Sequence, residues 1–220
     1  MILEKAFCLI MDKNIEEHWK KQIASIQNEV QELLRGRKIF LDTYGIIEKN
    51  VAVQKNISTW WDYYKISYTY FVISKIFHQI DKDNRADNLI NLLENLYENC
   101  EIITSSWYVN HDTSSLSTVE FEKKFGKNHL QPSNIYADIG ELLYVTKDVK
   151  EFRHKRIAHR DKSKNFNTTI QIKNIDESIN TIEKLSKKYT LLLEQRGLDL
   201  NISDENWPTS FTIPWIPNEK

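Results

Sequence analysis

Only 5 glycines and 4 prolines occur in 220 residues, and three of those prolines (Pro208, Pro214 and Pro217) crowd the C-terminal end. Folds built from many short strands need tight turns at regular intervals, and tight turns draw on these two residues. A chain so poor in them is expected to form long helices with few breaks, and it is long enough to bury a sizeable core.

The apolar pattern supplies the helices. From Ile15 to about Ile47, Trp19, Ile23, Ile26, Val30, Leu33, Leu34 and Leu41 recur at steps of three and four with a drift. Gly36 and Gly45 mark places where that helix is expected to bend or end. Ser58 is placed to cap a second helix running to about Ile80, and its "WWDYYKISYTYFVISKIF" is aromatic on nearly every side, which predicts a central, buried helix. A third is read from about Asp87 to Tyr108, with Leu89, Leu92, Leu93, Leu96, Cys100 and Ile103 on one face.

Residues 109–132 are too many for a bare loop. Within them Ser117 and Glu120 form a capping box and Gly126 a stop, predicting a short crossing helix. Pro132-Ser133 opens a fourth helix. After a polar stretch and a short extended piece in "TTIQIK", a fifth covers about Ile175 to Gln195, with Gly197 as its stop. The expected fold class is therefore all-α: a bundle of about five long helices plus a short crossing helix, forming one domain over 1–197. The segment 198–220, "LDLNISDENWPTSFTIPWIPNEK", is predicted to be an extended tail, because its prolines oppose a helix and its aromatics suit docking on the bundle or a partner.

The formal net charge is −1, which excludes a uniformly basic nucleic-acid coat but not a local basic patch. The N-terminal "AFCLIM" is too short for a signal-peptide core or a membrane span. Cys8 and Cys100 have no partner at metal-ligand spacing and read as reduced thiols. A cytoplasmic protein without membrane contacts is expected. There is no glycine-rich phosphate loop and no metal-ligand pattern, so neither a metal nor a cofactor is expected. His18, His78, His111 and His129 are scattered and are given no ligand role.

The stretch that stands apart is "EFRHKRIAHRDKSK", Glu151 to Lys164. The stripe of the fourth helix (Ile135, Ile139, Leu142, Val145, Val149 and Phe152) leads at the same spacing to Arg153, Arg156 and Ile157, so an apolar face turns cationic. Buried arginine is costly unless it meets an anion, so the stripe should emerge at a cleft, an interface or a carboxylate. Between Lys147 and Lys164 eight Lys or Arg stand against three acids. Spacing alone leaves two readings open. One is cations that offset the dipole of a helix C-terminus, about 0.3–1 kcal/mol each; the other is a phosphate-handling site.

"RHKRIAHRD" resembles the signature of the HEPN superfamily: an Arg, a polar residue directly after it, and a His four to six positions beyond the Arg. Arg153, His154 and His159 fill these places. Lys155, Ala158 and Asp161 match the "R-N-K-x-x-A-H-x-D" form of the AbiU-type abortive-infection branch, with His154 in the Asn slot. The resemblance implies a metal-independent endoribonuclease that acts as a toxin or phage-defence effector, with RNA as substrate, a homodimer as working unit and an antitoxin or other defence protein as further partner. Among HEPN proteins paired with a nucleotidyltransferase antitoxin a Tyr often follows the His. Here the order is His159-Arg160-Asp161, which speaks against that control.

The residue types suit the implied chemistry. RNA carries its own nucleophile, the 2′-hydroxyl, so the protein must supply a proton acceptor or donor near neutral pH and a cation on the phosphate. His159 is assigned the acid/base role, Arg153 the scissile phosphate, and His154 the orientation of the site or the binding of substrate through hydrogen bonds. Lys150, Lys155, Arg156, Arg160 and Lys162 are assigned to RNA binding.

On an ideal α-helix Arg153 and His159 lie about 9 Å apart in rise and roughly 120° apart in rotation. One chain brings both to one phosphate only if the helix ends or bends between them, whereas a twofold dimer pools two arginines and two histidines. Two rivals remain at this point: an inactive HEPN-like bundle that binds RNA or a protein through the same basic face, and a scaffold in which Arg153 and Arg156 pair with core acids.

Overall fold

The computed structural model describes residues 2–56, 58–110, 118–158, 170–198, 200 and 207–212. The scarcity of helix breakers has its counterpart in α1, Ile2–Glu48, 47 residues long and so about 70 Å from end to end. It begins well before Ile15 and continues through both Gly36 and Gly45, correcting the expectation of a bend or end there. Gly36 serves close packing instead: a Cβ at this position would lie 2.3 Å from Cε1 of Phe71 on the neighbouring helix. Asn50 then starts the short α2, Val51–Asn56, its Oδ1 accepting from the Val53 N–H at 3.1 Å.

The second long helix forms as expected, as α3, Ser58–His78, but only its second half is buried, through Val72, Ile73, Ile76 and Phe77. The first half stacks on α1 along one side, where the rings of Phe40 and Tyr68 lie 3.8 Å apart and Trp61 and Tyr64 extend the cluster. Its other side is left open, with Trp60 46%, Tyr63 71%, Ile66 51% and Tyr70 47% exposed. The expectation of a wholly buried aromatic helix is thus corrected: no other element among the described residues covers that face.

The third expected helix is two. α4, Leu89–Glu98, is capped by the Asn88 side chain, which accepts from the Asn91 N–H. Asn99 ends it, its side-chain amide donating to the Asn95 carbonyl at 2.9 Å. The chain then turns through 99–104 before α5, Ser105–Asn110. Cys100 and Ile103 still reach the core, but from this turn. The turn is held by the Leu130 N–H to the Ile103 carbonyl, 2.8 Å, and the Ser105 N–H to the Asn128 carbonyl, 2.9 Å. The short crossing helix is α6, Thr118–Lys124; Ser117 of its expected capping box lies outside the described residues. Gly126 follows with φ of +119°, a conformation that suits glycine.

The fourth expected helix is broken at Thr146. α7, Pro132–Val145, gives way to α8, Lys147–Phe152. The Thr146 hydroxyl donates to the Leu142 carbonyl at 2.6 Å, a back-bond that bends helices. The last long helix, α9, Ile172–Glu194, starts earlier than Ile175 and braces the break: the Ser178 hydroxyl lies 3.0 Å from the Val145 carbonyl. Ile172 already belongs to α9, so the described part of "TTIQIK" shows no extended strand.

Among the described residues five helices have ten residues or more, and the only β-type pairing is the bridge between Thr104 and His129. α9 lies at the centre, packed on α1, α7, α3 and α8. Cys100 is buried without a disulfide partner, and burial pushes its thiol up. No described helix is long and apolar enough to cross a membrane. Leu200 is buried and Leu198 packs on the core, so the tail begins against the bundle. Trp207–Thr212 is a short 3₁₀ helix, against the expectation of an extended tail. Pro208 sits in its first turn, where a proline's fixed φ and missing N–H are tolerated.

One polar contact locks α7 to α9. The buried Tyr189 hydroxyl donates to Asp138 Oδ2 at 2.7 Å, and the Lys188 ammonium sits 2.5 Å from the same oxygen. Burial, then the carboxylate, pushes the Tyr189 phenol far up, so it stays a donor. Asp138→Ala leaves that hydroxyl unpaired. The expected cost is about 1–3 kcal/mol, read as a lowered urea midpoint at an unchanged m-value.

Candidate functional site

The chain changes winding where the motif begins. α-Helical geometry ends at Phe152, and Arg153–Ala158 forms a turn of π-helix, closed by i→i+5 rather than i→i+4 hydrogen bonds. Such turns are rare and recur at functional sites. The ideal-helix separation of Arg153 from His159 therefore does not apply over Arg153–Ala158. His159, Arg160 and Lys162 lie outside the described residues.

Arg153 is half-buried, and its guanidinium lies over the ring of Phe77, Cζ 3.9 Å from the ring centroid. His154 meets the same ring edge-on, with centroids 5.7 Å apart and planes at 87°. Phe77 stands in the last turn of α3 and is itself almost wholly buried. A firmly packed aromatic thus serves as the platform for two of the three motif residues.

Stacking uses the face of the guanidinium, while its N–H donors lie in the plane around the edge. Among the described residues the Arg153 guanidinium makes no ion pair or hydrogen bond. The core-carboxylate expectation is therefore not met at Arg153: an aromatic face, not an acid, accompanies this arginine into the protein.

The assigned RNA-binding residues divide. Arg156 is exposed and lines an open cleft of about 680 Å³ between α3, the π-turn and α9, with Ile66, Tyr70, Phe152 and Ile175. Lys150 is exposed on α8. Lys155 is already paired with Glu151 one turn back, and its ammonium holds that carboxyl below the usual range. The stripe, expected to emerge at a cleft, an interface or a carboxylate, brings Arg156 to a cleft wall. The α-helical register itself stops four residues earlier, at Phe152.

No family model, curated protein or solved structure matches this chain.

Sequence reasoning missed Phe77 and the π-turn. Nothing in the sequence ties residue 77 to residues 153 and 154. The winding change leaves a faint trace, since the three-and-four stripe loses its apolar residues at Arg153.

Proposed function

We propose that this chain is a HEPN-type, metal-independent endoribonuclease, acting as a toxin or abortive-infection effector, with Arg153, His154 and His159 as its catalytic set. The observation that carries the reading is the Arg153 fork: a guanidinium held by a buried aromatic, its planar donors uncommitted among the described residues. An arginine so placed matches phosphate oxygens in two-point fashion. Holding it in advance is the economical way to stabilise charge that appears only in the transition state.

In the proposed reaction the RNA 2′-hydroxyl attacks the adjacent phosphorus, His159 takes or returns the proton, and Arg153 neutralises the phosphate oxygens. The 5′-oxygen of the next nucleotide leaves and gains a proton, and a 2′,3′-cyclic phosphate remains. His154, exposed beside Arg153, orients the phosphate or an adjacent base. Lys150 and Arg156, with Arg160 and Lys162, draw in the backbone.

The working unit in this reading is a homodimer. The open aromatic half of α3 borders the Arg156 cleft, and exposed apolar faces of this kind serve association. The test mixes two inactive variants. If each site pairs Arg153 of one copy with His159 of the other, Arg153→Ala and His159→Ala together regain cleavage through mixed dimers. No recovery after co-refolding contradicts the shared site. Undiminished cleavage by each variant alone contradicts the assigned roles.

A further inference from the structure

The cleft that Phe152 and Arg156 line does not end at α3. Lys65, Thr69, Ile172 and Ile175 border both this cleft and a second hollow of about 330 Å³, closed by Phe40, Leu41, Tyr44, Tyr68 and Asp176. One groove therefore runs from the π-turn past the start of α9 to α1, and its inner part falls within the roughly 300–1,000 Å³ usual for ligand sites. Leu41, Tyr44, Ile66, Tyr70 and Ile172 on its walls are each at least 45% exposed, an apolar concentration of the kind that marks a binding surface.

Aromatic rings set its chemistry. Phe40, Tyr44 and Tyr68 already pack on other rings, whereas Tyr70, which lines the outer part with Arg156, stacks on no ring among the described residues. In the inner part the Tyr68 hydroxyl makes no hydrogen bond among the described residues. Burial, then the Asp176 carboxylate, pushes its phenol up to about 12, so it stays a donor. The two acids on the walls are answered within the chain, Asp176 by Arg37 at 2.9 Å and Asp62 by Lys65 at 2.7 Å, and Arg156 adds positive charge at the motif end. A partner helix needs only an apolar groove. An open ring face, an edge donor and a cation together fit planar bases carried on phosphates, which proteins read in RNA where the bases are unpaired.

We propose that this groove binds an unpaired stretch of RNA leading to the scissile phosphate, with one base stacked on Tyr70, the backbone drawn by Arg156, and the edge of another base meeting the Tyr68 hydroxyl. The inference rests on the ribonuclease reading and specifies its substrate. Bases locked in a duplex are stacked on one another and cannot reach these walls. Tyr70 is thus a specificity-determining residue: it selects unpaired RNA and touches no reacting atom.

The test is fluorescence anisotropy of the full chain with a labelled single-stranded RNA made uncleavable by 2′-O-methylation, compared with an abasic strand of the same length and charge. Saturable binding is expected, about tenfold weaker for the abasic strand and for Tyr70→Ala, the loss of one stacked base, and retained by Tyr70→Phe. The same strand annealed to its complement is expected to bind at least about tenfold more weakly. Absence of binding, equal affinity for the abasic strand, or equal affinity for the duplex overturns the proposal. The abasic and duplex comparisons use the unaltered protein, so they decide even where Tyr70→Ala fails to fold or assemble. Because the probe cannot be cut, binding of the expected pattern without cleavage of any RNA keeps the groove and contradicts the ribonuclease reading, whereas cleavage at equal rates on paired and unpaired RNA keeps the ribonuclease and overturns the groove.

Discussion

Arg153→Ala is expected to lower the rate of RNA cleavage about 10²–10³-fold, the loss typical of removing one preorganised donor to developing negative charge. Stability should fall by no more than about 1 kcal/mol, the worth of a partly exposed cation–π contact, because Arg153 has no carboxylate partner among the described residues that its removal would strand. This combination separates the two roles an inward-facing arginine can have. A structural arginine paired with a core acid would cost several kcal/mol when deleted, and activity would fall only as the fold did. Arg153→Lys should lie between, since it keeps the charge but loses the planar fork. Initial cleavage rates paired with urea melts check all three values. Loss of activity that merely tracks unfolding would return Arg153 to the scaffold.

Trp19→Ala is expected to cost about 3–5 kcal/mol, a large part of the roughly 5–15 kcal/mol that holds a domain together. Trp19 is fully buried on α1, and its indole N–H donates to Asn95 Oδ1 of α4 at 2.6 Å. The substitution opens a cavity and strands a polar atom at one junction. Trp19→Phe keeps much of the volume and removes only the hydrogen bond, so a smaller loss of about 1–2 kcal/mol is expected. Urea denaturation of both variants gives the comparison, and equal losses would show that packing contributes nothing beyond the hydrogen bond.

Helix content was legible because it depends on local facts: few breakers, apolar steps of three and four, and a stop near Gly126. Breaks inside helices were not. Leu96, Cys100 and Ile103 step by four and three as on one helix face, yet the last two enter the core from a turn, so burial imitated periodicity. Thr146 broke the fourth helix through a side-chain back-bond that no spacing reveals. The aromatic half of α3 looked buried because its sequence is apolar all round, but coverage depends on which elements pack there, and only α1 does so extensively.

The candidate site was legible as a set of residue types and not as an arrangement. Arg153 and His154 could be singled out by their motif, whereas their shared contact with Phe77 spans 76 residues of sequence and arises only from the packing of α3 against α8 and the π-turn. The same packing sends Arg156 to the cleft wall, while a local ion pair claims Lys155. Arg153, Lys155 and Arg156 thus meet three different surroundings, which composition alone treats as one basic run.

The most direct measurement of the central claim is the chemistry of the cut ends. Total RNA is incubated with purified wild type and with His159→Ala in EDTA, and the new termini are analysed. The account predicts 2′,3′-cyclic phosphate and 5′-hydroxyl ends from the wild type, formed without metal and absent with His159→Ala. Cleavage that requires a divalent metal, or that persists in the variant with the same ends, would contradict it.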